Sequence, residues 1–122
     1  MEESFASKNK ISVAKVGNAA GKFVELTNDN TVNFLSHAKV VGTGNDLTLK
    51  FDYTFAADNA YPNLLVTYEI TCASGNKNAA LLKGFLGYLA SSAGQDLLPT
   101  SGYIKLPGNI DTKVATTASN LS

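Results

Sequence analysis

Apolar and polar residues alternate from Leu47 to Phe55, with Leu47, Leu49, Phe51, Tyr53 and Phe55 set against Thr48, Lys50, Asp52 and Thr54. That period of two predicts a strand with one wet face. From Leu64 to Cys72 the run is apolar except for Thr67, Glu69 and Thr71, which predicts a more central strand. The pattern then changes period. Leu81, Leu82, Phe85, Leu86 and Leu89 fall on one face of a helix, with Gly94 as its expected end. Gly84 and Gly87 lie inside that helix and each costs up to ~1 kcal/mol against alanine unless close packing requires them.

Upstream, residues 1–9 read as the tail of a short helix carrying Phe5 and Ala6, and Ile11, Val13 and Val16 as a short strand. Asn18 to Gly21 is a loop, and Phe23 to Leu26 a brief extended piece. Thr27 is placed to cap a helix presenting Val32, Leu35 and Ala38, with Asp29 favourable in its first turn. Gly42 to Asn45 and Gly75 to Asn78 are turns, and Ala56 to Pro62 is a linker. The last element places Ile110, Val114, Ala118 and Leu121 at near four-residue spacing. Thr116, Thr117 and Ser119 make it a weak helix alone, so it must dock to persist.

With 122 residues the chain has the length of one domain and enough apolar content for a core. Ten lysines balance ten carboxylates, which leaves no electrostatic footprint for nucleic acid or an anionic membrane. There is no arginine, so the usual bidentate grip on phosphate or carboxylate is missing from this stretch. Low charge with abundant Asn, Thr, Ser and Gly fits an extracytoplasmic setting. No run reaches the ~18–20 apolar residues of a membrane helix. The first residues, Met1 to Phe5, carry neither a basic nor an apolar leader region, so no signal peptide is expected in this chain. A single cysteine, Cys72, cannot close an internal disulfide; a buried apolar thiol is expected ahead of one that has lost its partner.

Catalytic chemistry finds little support. Gly17-Asn18-Ala19-Ala20-Gly21-Lys22 follows a strand, but a phosphate-cradling P-loop needs four residues between its glycines and a hydroxyl after the lysine. Here three intervene and Phe23 follows. His37 stands beside Ser36 without a third group to poise it as a base, so an exposed or capping role is expected. One His and one Cys do not make a zinc site, and Asp46, Asp52 and Asp58 are too dispersed for a calcium loop. They read as turns and solvated faces. Glu69 either pairs with a buried lysine or points out of a sheet face, the second being preferred. Phe51, Tyr53, Phe55, Tyr61 and Tyr68 are expected to pack in the core rather than stack on a ligand. No catalytic residue, metal ligand or cofactor is assigned.

Several short stretches, in order, resemble one family. Asn18-Ala19-Ala20-Gly21-Lys22-Phe23-Val24 followed by Thr27 is one. Tyr61-Pro62 with Val66-Thr67-Tyr68-Glu69-Ile70 is another. Leu82 to Leu89, Gly94-Gln95, Leu97-Leu98, Gly102-Tyr103, Leu106-Pro107 and Lys113-Val114 complete the set. Together they resemble the C-terminal portion of the phosphate-binding proteins that serve bacterial phosphate ABC transporters. Asn30 and Asn63 depart from residues usual in that family.

The resemblance implies an α/β fold, part of a type II periplasmic-binding-protein-like architecture with pieces of two lobes. Residues 1–60 would derive from the second lobe and 61–122 from the first. It implies a parent that captures inorganic phosphate outside the cytoplasm and delivers it to a transporter permease. The family's phosphate donors, a serine–glycine–threonine loop among them, match no position here, so no phosphate-binding residue is assigned and the chain is expected to start mid-fold. A piece of a two-lobed protein leaves strand edges uncovered, and homo-oligomerisation through them is expected.

Overall fold

A computed structural model describes residues 3–122; the Met1 end of the expected first helix lies outside the described residues. Helix α1 (Glu3–Lys8) leads to strand β1 (Val16–Gly17), which pairs antiparallel with β2 (Phe23–Val24). Helix α2 (Asn28–Ser36) precedes β3 (Lys39–Val40) and its antiparallel partner β4 (Leu49–Lys50). The chain then reaches α3 (Ala79–Leu89), α4 (Ser92–Leu97), a 3-10 turn (Leu98–Ser101) and α5 (Gly108–Ser119). Helices and small sheets mix, as expected for an α/β chain, and strand pairing among the described residues is confined to the two short ladders.

Helix α2 anchors the core. The Thr27 hydroxyl accepts from the Asn30 N–H at 3.2 Å, which satisfies one of the donors a helix start leaves free. Asp29 lies in the first turn, where its charge suits the helix dipole. Thr31, Phe34 and Leu35 are buried. Leu35, Ala38 and Ile110 form the centre of a cluster against which Leu49, Phe51, Leu64, Val66, Leu106 and Val114 pack. Ala38 belongs to it from just beyond the helix, which stops at Ser36 with His37 as cap. Residues from both sides of position 60 therefore share one core.

Helix α5 persists as its composition required, by docking. Ile110 and Ala118 are buried, and Leu121 is buried just past its end. Asn109 donates to the Ser36 carbonyl at 3.1 Å, tying α5 to the end of α2. At the far end the Ser122 N–H donates to Ala73 O, and Asn76 returns its own N–H to Ser122 O, each at 3.1 Å.

Several expectations are corrected. The strand of Leu47–Phe55 shortens to Leu49–Lys50, because Asp52 folds back on Thr54 and the Phe55 N–H turns to the Asp52 carbonyl. No strand among the described residues pairs with Leu64–Cys72, which is therefore not a central strand here: Leu65 is 94% and Ile70 93% exposed. Cys72 is exposed rather than buried, since it lies on that uncovered segment. Ile11 and Val13 are exposed outside any strand, and pairing begins only at Val16. Tyr61 is buried as expected, Phe51 and Phe55 are half-buried, but Tyr53 and Tyr68 are exposed. Gly94 does not end the long helix, which Ala90 caps; it sits inside α4.

Candidate functional site

The motif residues that carry the family resemblance can be followed one by one. Asn18 is the most connected of them. Its Oδ1 accepts from the Ala20 and Lys22 N–H groups, both at 3.0 Å, which closes the turn that Gly21 completes at φ +73°. Its Nδ2 donates across the fold to Ala57 O at 2.8 Å, Ala60 O at 3.2 Å and Asp58 O at 3.3 Å. One half-buried amide thus fixes both its own turn and the Ala57–Ala60 connector. The next residue, Tyr61, is buried and its N–H donates to the Asn30 carbonyl at 3.0 Å.

Gly94 and Gln95 do the same at the other end of the molecule. Ser91 caps α4 by accepting from the Gly94 N–H, and a Cβ at position 94 would overlap the Tyr88 carbonyl oxygen. Buried Gln95 donates from Nε2 to Leu89 O at 2.7 Å and accepts the Leu106 N–H on Oε1 at 2.8 Å. It satisfies main-chain groups from α3 and from the approach to α5, as buried polar groups must be satisfied. Gly102 ends the 3-10 turn in the left-handed region at φ +83°. Asn18 and Gln95 thus bind main-chain groups from separate parts of the chain. Sequence reading singled out their motifs but not these roles; the Asn-x-x-Gly turn at 18–21 was the available signal.

The residues weighed for chemistry are scattered. Around Gly17–Lys22 the backbone forms the β1–β2 hairpin turn and no helix begins there. His37 is exposed and caps α2, its ring stacked on Phe55 with centroids 3.5 Å apart; Nδ1 meets Ser36 Oγ at 3.2 Å and Asn33 O at 3.1 Å. Asp46 and Asp52 are exposed turn residues. The Thr48 hydroxyl and then its N–H hold the Asp46 carboxyl below its ordinary pKa, and Thr54 does the same for Asp52. Asp58 and Glu69 are exposed. No three His, Cys, Asp or Glu side chains converge as a metal site among the described residues. Lys15–Glu25 at 3.6 Å and Lys105–Asp96 at 2.6 Å are surface ion pairs.

Seven hydroxyls, of the kind an oxyanion site uses as donors, are engaged with their own backbone. Thr31, Ser36, Ser91, Thr100, Thr112, Thr116 and Ser119 each donate to a main-chain carbonyl three or four residues back. Open surface hollows lie among the described residues. One of about 540 Å³ is lined by Asn76, Lys77, Asn78, Leu81, Leu82 and Phe85. Another, of about 370 Å³, lies between the Gly42–Leu47 turn and the Thr112–Thr117 side of α5. Neither gathers buried polar groups.

Comparison with known proteins gives one consistent outcome. Phosphate-binding protein PstS 3 of Mycobacterium leprae is 32% identical over 127 residues, covering 99% of this chain and 34% of that protein. PstS 3 of Mycobacterium tuberculosis is 33% identical over 124 residues, 94% of this chain and 32% of its own length. PstS 2 of the same organism is 30% identical over 130 residues, again with 99% and 34% covered. The chain spans about a third of the length of these relatives. No family model matches the chain, and no solved structure matches it. The resemblance carried by Asn18–Val24, Tyr61–Ile70 and Gly94–Pro107 is borne out: over nearly its whole length the chain is similar in sequence to one third of the PstS phosphate-binding proteins.

Proposed function

We propose that this chain supplies scaffold to a phosphate-capturing solute-binding protein of an ABC transporter and does not bind phosphate by itself. The observation that carries the reading is the role of the motif residues. Asn18 and Gln95 hold main chain in place, while seven serine and threonine hydroxyls, Thr31 and Thr112 among them, donate to nearby backbone instead of converging on an anion. A phosphate site built on helix N-termini needs free donors aimed at one point, and its donors would come from the two thirds of the relatives' length that has no counterpart here.

In the complete protein, residues 1–60 would belong to the second lobe and 61–122 to the first lobe of a type II periplasmic-binding-protein-like fold, outside the cytoplasm and facing a permease. No helix among the described residues is long and apolar enough to cross a membrane, which is compatible with that placement. The reading is of a binding protein rather than an enzyme, supported by the likeness to phosphate-binding proteins; His37 lies against Phe55, Ser36 and main chain. Equilibrium dialysis of the isolated chain against labelled phosphate tests the proposal. No saturable uptake at micromolar phosphate is expected, and a saturable site would overturn it. A second reading, a self-associating α/β interaction module that kept the scaffold without the ligand site, is favoured by the unpaired Leu64–Cys72 segment.

A further inference from the structure

The return from α4 towards α5 is a loop closed at its own base. Buried Gln95 accepts the Leu106 N–H on Oε1 at 2.8 Å, and beside it the Lys105 ammonium pairs with Asp96 at 2.6 Å, so the two ends of the stretch 96–105 meet. Within it the Tyr103 N–H donates to Leu98 O at 3.0 Å, the Gly102 N–H to Pro99 O at 3.2 Å and the Thr100 hydroxyl to Leu97 O at 2.6 Å. Yet no residue from Asp96 to Lys105 is buried. A stretch stitched to itself, without a side chain in the core, keeps its shape but draws little hold from apolar burial. The Lys105–Asp96 pair adds little to that hold, since both side chains reach solvent.

What fastens the loop is Gln95. Its Nε2 donates to the carbonyl of Leu89, the last residue of α3, at 2.7 Å, while Oε1 takes the Leu106 N–H. One buried amide thus clips both ends of the loop to the end of α3. Just before it, Ser91 caps α4 and Gly94 packs against the Tyr88 carbonyl, which fixes the chain there. We propose that 96–105 is a flap that swings open as one unit when Gln95 releases Leu89 and Leu106. Both released groups, and the amide itself, then find water, so opening leaves no buried polar group without a partner. Opening costs two hydrogen bonds and leaves the core intact. The open flap carries Leu97 and Tyr103, which are 55% and 52% exposed, to new positions while α3 and α5 stay folded. It gives this end of the molecule an adjustable surface, and nothing in it depends on phosphate.

Pulsed dipolar spectroscopy of the whole chain tests this, with spin labels at two exposed positions, Lys83→Cys on α3 and Leu97→Cys on the flap, in a Cys72→Ser background. Gln95→Leu keeps a side chain of similar size and removes both hydrogen bonds. The share of a second, displaced distance should then rise about 5–30-fold, which is what one or two hydrogen bonds are worth. Hydrogen exchange at Tyr103 and along α2 and α5 should not change, because the flap moves whole. Gln95→Glu separates a latch from a side chain that only fills space. Ionised, its carboxylate cannot donate to Leu89 O and the flap should open; protonated in acid, it both donates and accepts, and the flap should close again. The parent at the same pH values controls for protonation of Asp96. Distances unchanged in Gln95→Leu and in ionised Gln95→Glu overturn the proposal, and so does a Gln95→Glu flap that acid fails to close. Faster exchange at Tyr103 overturns it as well, since the stretch would then unfold instead of swinging, as does loosening of α2 or α5. Should Gln95→Leu not fold, the acid reversal of Gln95→Glu decides alone.

Discussion

Helices α2 and α3 reverse the relation between apolar content and burial. α2, Asn-Asp-Asn-Thr-Val-Asn-Phe-Leu-Ser, is mostly polar, yet it buries Thr31, Phe34 and Leu35. α3, Ala-Ala-Leu-Leu-Lys-Gly-Phe-Leu-Gly-Tyr-Leu, is far more apolar and has no buried residue; Leu81, Phe85 and Tyr88 are exposed. The difference is the supply of neighbours. α2 meets β4, the Leu64–Val66 segment and α5, which close around it from separate parts of the chain. α3 leans chiefly on α4 and α5. An apolar stripe states a demand for burial, and the tertiary surroundings determine whether that demand is met.

The most direct way to break this comparison is to truncate matched leucines. Leu35→Ala should cost about 2–5 kcal/mol, because it empties a filled site beside Ala38 and Ile110. Leu65→Ala and Leu81→Ala should stay within about 0.5 kcal/mol, since both side chains already stand in solvent. Urea denaturation of the three variants measures this. Equal losses would mean that α3 and the 64–72 segment are covered in solution.

Next in size is the Asn18 amide. Asn18→Ala removes the donors to Ala57 and Ala60 and the acceptor for two turn amides, with an expected loss of about 1–3 kcal/mol. Hydrogen exchange should also quicken at Tyr61, whose amide depends on the connector being held. An unchanged melting temperature would show that the connector is fixed without Asn18.

The glycines sharpen the contrast within one stretch of chain. A Cβ at Gly84 or Gly87 meets nothing within 4 Å, so Gly84→Ala and Gly87→Ala should stabilise α3 by up to ~1 kcal/mol. Gly94→Ala should instead destabilise by about 1–3 kcal/mol, because the added methyl overlaps the Tyr88 carbonyl. Thermal melts of the three variants should move in opposite directions. If Gly84→Ala or Gly87→Ala destabilises, α3 carries a close partner on that face.

The smallest effect concerns Asp46 and Asp52. A carboxyl whose folded pKa lies below its unfolded value stabilises the fold above the unfolded pKa, and loses that contribution as pH falls through the folded value. Asp46→Asn and Asp52→Asn should therefore be slightly less stable than the parent near neutrality. The difference should shrink below the ordinary carboxylate range, as the Thr48 and Thr54 donors lose their charged acceptors. Urea midpoints at neutral and acid pH measure it, and a gap that widens in acid would contradict the assignment.

Much of the local structure was legible in the sequence because its causes are local. Thr27 capping α2, the Asn18–Gly21 turn, the α3 stripe and the Ile110–Leu121 spacing each follow from a few neighbouring residues. Alternation from Leu47 to Phe55 misled, because strand pairing needs a partner and the Asp52–Thr54 turn competes for the same backbone. Cys72 misled for a related reason: apolar neighbours in sequence do not guarantee cover in space. Asn18 and Gln95 could not be recognised as hubs, since the carbonyls of Ala57 and Ala60 and the amide of Leu106 reach them only through the fold.

By itself, then, the sequence determined helices α2, α3 and α5, the Thr27 cap, the Asn18–Gly21 turn, the zero net charge and the likeness to a third of the PstS proteins. All of these are written in residue type and short spacing. Only the tertiary structure decided which apolar stretches became core, which polar side chains became backbone anchors, and that Leu64–Thr71 pairs with no strand among the described residues. Burial and strand pairing are long-range contacts, and a contact has two sides of which a sequence segment specifies one.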